Sequence, residues 1–170
     1  MPRTSQSSEC VGASQVQTLR AAAEGRFLIG AAVAPSFFDN PGLSALLGEQ
    51  FSAVTPENVL KPQLVQPVEG EFNFGPADRI VDFAQAHGLT MIGHTFVWYN
   101  QTPDWFFHDR NGNPDGRDAA LRRLRDHIHA VAGRYRRRIH GWDVVNEAVA
   151  DGEGFLRDTP WRRAVGDDYI

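Results

Sequence analysis

Four short apolar segments alternate along the chain with segments that have helical spacing, and this alternation is the strongest constraint on the fold. The apolar segments are 27–33, 51–55, 89–93 and 139–145. Short buried strands separated by helices are typical of a parallel sheet built from βα units. The sequence therefore predicts an α/β fold with parallel strands, formed as one unit by residues 26–170.

The predicted helices are recognised from apolar spacing and from the residues at their ends. They cover 16–24, 43–50, 76–86 and 118–138, and a last one begins near Pro160. Asp78 in the first turn of the third helix complements its dipole, and Gly88 supplies a C-cap. Residues 1–25 are predicted to form a polar tail followed by a short helix.

The composition excludes several classes of protein. A hydrophobic fraction of 42% is enough for a real core, which argues against disorder. The net charge of -4 gives no reason to expect a nucleic-acid partner, and the basic run 134–138 fits the solvated end of an amphipathic helix. No apolar run approaches the roughly 18 residues that span a bilayer, so no membrane partner is expected. The first residues lack the apolar centre of a secretory signal, which leaves the compartment open.

The sequence offers no pattern for a metal site. Cys10 is the only cysteine, so neither an internal disulfide nor a cysteine cage for a metal can form. His127 and His129 are two residues apart on a predicted helix and should point to different faces. We therefore expect no metal and no organic cofactor.

Polar side chains follow three of the four predicted strands. They are Glu57 and Asn58 after the second strand, His94 after the third, and Asn146 and Glu147 after the fourth. Lys61 and Trp98 follow closely in the sequence. Ligands of parallel α/β folds bind at the carboxyl ends of the strands, so these residues are expected to converge on one face. Hydrogen-bonding groups beside indole rings suit a sugar, whereas the lack of a glycine-rich phosphate loop disfavours a nucleotide.

Glu147 is the candidate general acid. A carboxyl group where a buried strand opens to the surface is partly shielded from water, which favours its protonated form.

Each of the candidate residues also has a simpler interpretation. Glu147 could be a surface carboxylate, Glu57 and Asn58 a turn, His94 a core histidine and Lys61 a solvated lysine. Among the indoles, Trp98 is the better sugar platform, Trp105 the better plug under a loop, and Trp142 a core residue. Asp143 is interpreted as structural, binding either backbone or a basic partner.

Several ordered motifs resemble those of glycoside hydrolase family 10, which are endo-β-1,4-xylanases. They are Thr-Pro-Glu-Asn-Val-Leu-Lys at 55–61, Gly-His-Thr-Phe-Val-Trp-Tyr-Asn-Gln-Thr-Pro-Asp-Trp at 93–105, and Trp-Asp-Val-Val-Asn-Glu-Ala at 142–148. The segment 70–74, followed by Ala77 and Asp78, is also similar. The resemblance runs from about Phe27 to the last residue. The sequence departs from the family pattern at Val59-Leu60, usually Glu-Met, and at Tyr99-Asn100, where the family usually has a run beginning with histidine.

The resemblance implies a TIM barrel that hydrolyses internal β-1,4-xylosidic bonds of xylan with retention of configuration, without metal or cofactor. Its partner would be xylan or a xylo-oligosaccharide, and the family suggests a secreted protein. It makes Glu147 the general acid/base and Asn146 the partner of the sugar 2-hydroxyl. The remaining residues implied to bind substrate are Glu57, Asn58 and Lys61 on the glycone side and His94, Trp98 and Gln101 around the sugar being cleaved.

The chain carries only part of what this chemistry needs. A TIM barrel takes about 250 residues and eight βα units, and four are predicted here. A retaining glycosidase also needs a second carboxylate about 5–5.5 Å from the acid. The family places it in a Thr-Glu-Leu-Asp-like segment on the seventh strand, and no segment of this sequence matches. Asp151 and Glu153 lie in a glycine-rich loop without a preceding strand.

We therefore interpret the chain as the amino-terminal half of such a barrel and expect it to be inactive alone. Both edges of its sheet would be open, which favours self-association. The alternative is a non-catalytic half-barrel that binds xylo-oligosaccharide or pairs with another half.

Overall fold

The structure is a computed structural model that describes residues 18–152 and 154–170. The predicted polar tail up to residue 17 and Glu153 lie outside the described residues. Within them, one sheet has the strand order β1-β2-β3-β4, and every neighbouring pair is parallel. The strands are β1 (Gly30–Val33), β2 (Ala53–Pro56), β3 (Thr90–Val97) and β4 (Gly141–Val145). The predicted α/β fold with parallel strands is confirmed.

Helices α2 (Pro41–Gln50), α3 (Pro62–Val65), α4 (Gly75–Ala86) and α5 (Arg117–Arg134) lie between successive strands, as parallel pairing requires. Helix α1 (Leu19–Ala23) precedes β1, α6 (Pro160–Val165) follows β4, and short 3₁₀ turns lie at Pro35–Asp39 and Asp104–Phe106. Asn40 caps α2, because its side chain accepts hydrogen bonds from the N–H groups of Gly42 and Leu43. Thr159 caps α6 in the same way through the N–H of Arg162. In both helices a proline follows the cap, where its missing N–H costs nothing.

Three predicted boundaries were wrong in informative ways. β1 begins at Gly30 rather than residue 27, and Phe27 and Leu28 are 66% and 58% exposed. They precede the edge strand, where no neighbouring strand covers them. β3 continues four residues past its predicted end at Gly93, and its register with β4 shifts between His94 and Val97. Helix α5 ends at Arg134, four residues before its predicted end.

The core lies between the sheet and the helices. The face of α4 that it buries consists of Ala77, Ile80, Val81 and Ala84, which have the spacing of one helical face. This face belongs to the same buried cluster as residues of the strands, including Val54 and Met91. On β3, Gly93 leaves room for Trp142 of β4: a Cβ at position 93 would lie 2.2 Å from the indole ring. Trp142 in turn stacks on Phe96 at 4.1 Å, so this close approach packs β3 against β4.

Arginines of α5 bind acidic partners. Arg123 is buried on this helix, and its guanidinium pairs with Glu69 at 3.0 Å and with Asp115 at 2.6 Å. Arg134, the first residue of the basic run, forms an ion pair with Asp78 of α4, which lowers the pKa of that carboxyl. Arg138, four residues past the end of α5, binds Asp82 of α4. The pairs of Arg134 and Arg138 join the end of α5 and the residues after it to α4, and they leave less of the basic charge free for an outside partner.

None of the described helices is both long and apolar enough to cross a membrane. Among residues 18–152 and 154–170, no group of three or more histidine, cysteine or acidic side chains is arranged to hold a metal ion.

Candidate active site

The carboxyl ends of β2, β3 and β4 lie side by side at one edge of the sheet. Backbone hydrogen bonds continue the pairing past the strands. The N–H of Glu57 donates to the carbonyl of Val33 at 3.0 Å, and the N–H of Asn146 donates to the carbonyl of Val97 at 2.8 Å. The polar residues that follow the strands are therefore held at defined positions by the sheet itself.

Lys61 is at the centre of the site. Its side chain is only 7% exposed, and Nζ donates a hydrogen bond to Asn58 Oδ1 at 2.9 Å. The ammonium also lies 4.4 Å from the centre of the Trp98 ring, a cation–π geometry. Burial lowers the pKa of Lys61, and the carboxylates of Glu57 and Glu147 partly oppose that shift. The two carboxylates from different strand ends thus act on one lysine.

Asn58 joins Lys61 to Gln101. Gln101 Nε2 donates to Asn58 Oδ1 at 3.4 Å, so that one amide oxygen receives hydrogen bonds from both residues. The backbone of Gln101 is held from the other side, where its carbonyl accepts the N–H of Gln63 at 2.9 Å. Gln101 has a φ of 49°, a left-handed conformation that an L-residue adopts only where surrounding contacts hold it.

Glu147 is the second residue after β4 and is exposed. Its Oε2 accepts a hydrogen bond from Trp98 Nε1 at 2.9 Å. Its φ of 51° is also left-handed, and such strained residues are concentrated at functional sites. The expected partial shielding of this carboxyl was wrong, because β4 is the edge of this sheet and leaves that side open to water.

His94 lies inside β3 and pairs with Asp143 of β4. The distance between His94 Nδ1 and Asp143 Oδ2 is 3.0 Å. A carboxylate only accepts, so Nδ1 is the donor, and the other ring nitrogen remains available for a ligand. The His94 ring centre is 6.5 Å from that of Trp98. Of the two roles expected for Asp143, this contact supports the one with a basic partner.

The structure thus brings together most of the predicted residues. Continuous contacts link Gln101, Asn58, Lys61, Trp98 and Glu147, and His94 lies beside the indole. Trp105 instead points into the interior. It stacks on Phe106 at 3.9 Å and donates from Nε1 to the carbonyl of Gln66, as a plug would.

Two residues near Glu147 escaped the sequence analysis as site residues. Tyr99 was noticed only as a departure from the family pattern, and Arg157 was not singled out. Arg157 Nε donates to the backbone carbonyl of Glu147 at 3.1 Å, and its guanidinium lies over the Tyr99 ring. An arginine ten residues after Glu147 has no periodicity that would reveal this contact, because it follows no regular helix or strand.

Comparison with known proteins agrees with the motifs. The model of glycosyl hydrolase family 10 matches residues 18–170. The chain belongs to this family. Endo-1,4-beta-xylanase B of Paenibacillus barcinonensis is 43% identical over 158 residues, covering 92% of the chain and 47% of the relative. Endo-1,4-beta-xylanase A of Caldicellulosiruptor saccharolyticus is 43% identical over 145 residues, covering 85% of the chain and 42% of the relative.

Solved structures of family 10 proteins show the same fold. Xylanase XynB of Paenibacillus barcinonensis, complexed with a conduramine derivative, superposes with a TM-score of 0.86 at 43% identity, covering 92% of the chain and 47% of that structure. The endo-1,4-beta-xylanase of Caldicellulosiruptor owensensis gives a TM-score of 0.87 at 44% identity, with coverage of 91% and 47%. The chain spans about half the length of the relatives it matches. Its four βα units correspond to part of the family's TIM barrel.

Proposed function

We propose that the chain is the amino-terminal part of an endo-β-1,4-xylanase-type glycoside hydrolase that acts with retention of configuration. The observation that carries the proposal is the contact sequence Lys61–Trp98–Glu147, which places a buried cation and a carboxylate on either side of one indole at the carboxyl ends of the strands. A sugar needs polar partners for its hydroxyls and a flat apolar ring for its C–H face, and this arrangement offers both.

Glu147 is the proposed general acid/base. Oε2 already accepts the Trp98 indole N–H, so Oε1 is assigned the proton that passes to the glycosidic oxygen as the C–O bond breaks. A second carboxylate would then form a covalent bond to the anomeric carbon. Water would later displace that carboxylate, losing its proton to Glu147.

The proposed binding roles are those that the family resemblance implies. Glu57, Asn58 and Lys61 lie together after β2 and suit the sugar on the glycone side. Asn146 would bind the 2-hydroxyl of the sugar being cleaved. The residues proposed to position that sugar are His94, Trp98 and Gln101. Because Glu57 is assigned to binding, the nucleophile is not among these residues, and we expect the 170-residue chain to bind xylo-oligosaccharide without hydrolysing xylan.

Calorimetry with xylotriose and a reducing-end assay on xylan test this proposal together. The purified chain should bind xylotriose with a Kd on the order of 1 mM, because only part of a cleft is present. Trp98→Ala should abolish the heat of xylotriose binding. A folded Trp105→Ala variant, which changes an interior indole, should retain that heat. Cellotriose is the matched ligand, since one relative 45% identical to the chain, from Acetivibrio thermocellus, is named an exoglucanase. Reducing ends that appear with the chain and vanish with Glu147→Gln would contradict the expected inactivity. Equal heats of xylotriose binding for Trp98→Ala and Trp105→Ala would contradict the proposed binding role of Trp98.

Open sheet edges are proposed to drive self-association. Val144 of β4 is 52% exposed, and Phe27 and Leu28 before β1 are more exposed still. Unpaired edge strands beside apolar side chains readily pair with another chain. We expect the sedimentation coefficient to rise with concentration in the micromolar range. Val144→Lys, which places a charge on the β4 edge, should shift the distribution toward monomer, whereas Val68→Lys, at an exposed site outside the sheet, should not. A monomer at all concentrations would contradict the proposal.

The alternative function, pairing with a complementary half-barrel, would use the same edges.

A further inference from the structure

Arg157 closes the loop that follows Glu147. Its Nε donates to the carbonyl of Glu147 at 3.1 Å, and its Nη2 donates to the carbonyl of Val149 at 3.4 Å and to Asp151 Oδ2 at 2.7 Å. Two backbone carbonyls and a carboxylate are thus bound by one planar guanidinium, a task that the point charge of a lysine performs poorly. A bridge between Val149 and Leu156 holds the two arms of the loop together.

Tyr99 connects this loop to the sugar platform. The guanidinium of Arg157 lies 5.0 Å from the centre of the Tyr99 ring, and that ring meets Trp98 edge-on at 5.6 Å. The pKa of the Tyr99 hydroxyl is raised, chiefly by the nearby Glu147 carboxylate, which favours the protonated phenol. Trp98 thus binds the Glu147 carboxylate, Arg157 binds the Glu147 backbone carbonyl, and the Tyr99 ring packs against both Trp98 and Arg157.

Glu147 needs such support. It combines an exposed side chain with a left-handed backbone conformation, so neither burial nor backbone preference fixes the carboxylate. One side of it faces a cavity of about 550 Å³ whose lining includes Tyr99, Val149, Asp151 and Arg157. A carboxylate that is to meet a glycosidic oxygen must be held in place while it remains open to the ligand.

We propose that Tyr99 and Arg157 are positioning residues for Glu147. Arg157 fixes the peptide that carries the carboxylate, and Tyr99 braces the carboxylate and the Trp98 indole against the loop. The proposal rests on the proposed role of Glu147 as the acid. It adds that this chain sets the orientation of the acid with a tyrosine–arginine pair drawn from two different loops.

The first test measures the electrostatic effect of Glu147 on the Tyr99 phenol without any sugar. The chain has 3 tyrosines, which can be followed separately by NMR of ¹³C-labelled phenol rings. The Tyr99 phenol should titrate above the usual value of 10, and Glu147→Gln should bring its pKa down. Tyr135, whose hydroxyl binds Asp78, is the internal control and should be unaffected by that variant. If the pKa of Tyr99 is the same in the wild type and in Glu147→Gln, the proposed role of Tyr99 is overturned.

The second test follows the Trp98 indole N–H, which donates to Glu147. Arg157→Gln should speed its exchange with solvent by about tenfold, since the carboxylate that accepts it loses its anchor. Arg163→Gln is the matched control, because Arg163 also pairs with a loop aspartate, Asp158 at 2.9 Å, and its substitution should leave the rate unchanged. Arg157→Lys should not restore slow exchange.

Tyr99→Phe keeps the ring under the guanidinium and removes only the hydroxyl, so it serves if Arg157→Gln fails to fold. It should change the exchange in the same direction by a smaller factor. If Arg157→Gln folds and its Trp98 indole N–H exchanges at the wild-type rate, the proposal is overturned. If Arg157→Gln does not fold, a wild-type exchange rate in Tyr99→Phe overturns it instead. Neither measurement uses a sugar. A chain that passes both tests but does not bind xylotriose contradicts the proposed function and leaves the positioning contacts intact.

Discussion

Replacing Trp161 with alanine is expected to lower the free energy of unfolding by about 3–5 kcal/mol, the usual cost of removing a large buried ring. Trp161 is 1% exposed. Its ring meets Phe106 at 5.2 Å and Phe107 at 4.8 Å, and its Nε1 donates to the backbone carbonyl of Trp98 at 3.1 Å. The substitution removes the contact between α6 and the loop after β3, together with a buried hydrogen bond.

Urea unfolding followed by circular dichroism measures this loss. Trp98→Ala is the matched control, because that indole is only half-buried and lies outside the core cluster. It should cost about 1 kcal/mol, chiefly the hydrogen bond to Glu147. The two indoles should therefore separate stability from ligand binding, with Trp161→Ala affecting the first and Trp98→Ala the second. Similar losses of stability for both variants would contradict the assignment of Trp161 to the core.

Acidification from pH 6.5 to 4 is expected to destabilise the chain by about 3 kcal/mol through His127 alone. This side chain is 0% exposed, and burial lowers its pKa from 6.5 to about 4. Its Nδ1 binds Gln66 Oε1 at 2.7 Å, while its Nε2 has no hydrogen-bond partner among the described residues. Phe96 and Phe106 pack edge-on against the ring, and Arg123 is buried on the same helix.

The sign follows from which state binds the proton first. A folded pKa below the unfolded value means that the unfolded chain takes up a proton between pH 6.5 and 4 and the folded chain does not. The stability is therefore complete above about pH 6.5 and falls as the pH approaches 4.

The difference between the stability curves of wild type and His127→Gln isolates this contribution from that of the carboxylates. The variant should be less stable at neutral pH but flatter between pH 6.5 and 4. His129→Gln, at an exposed position two residues further along α5, should keep the wild-type slope. Parallel curves for wild type and His127→Gln would show that the buried imidazole does not titrate as expected.

Much of the fold could be predicted because β2 and β4 lie in short apolar segments and the buried residues of α4 have helical spacing. β3 was cut short because His94 is polar. The strand nevertheless continues, since the imidazole lies at the open end of the sheet and binds Asp143 on the next strand. β1 was made too long because Phe27 and Leu28 are apolar, and hydrophobicity alone does not reveal that a segment lies at an edge.

The candidate site was predictable where side chains follow strands directly, as Glu57 and Asn146 do. It was not predictable where irregular loops bring side chains together. Tyr99 and Arg157 meet because the chain turns back on itself between residues 149 and 156, a path that no repeat in the sequence encodes. The pairing of His94 with Asp143 depends on the register of two strands, which becomes known only when the sheet is assembled.

The order of strands in the sheet is the same as their order in the chain, and each pairs with its immediate predecessor. Within the described sheet, each strand after β1 therefore pairs with a strand that leaves the ribosome before it. Glu147 follows β4, so it emerges after Lys61 and Trp98, to which contacts join it. We therefore expect the contacts among these three residues to form in the direction of translation.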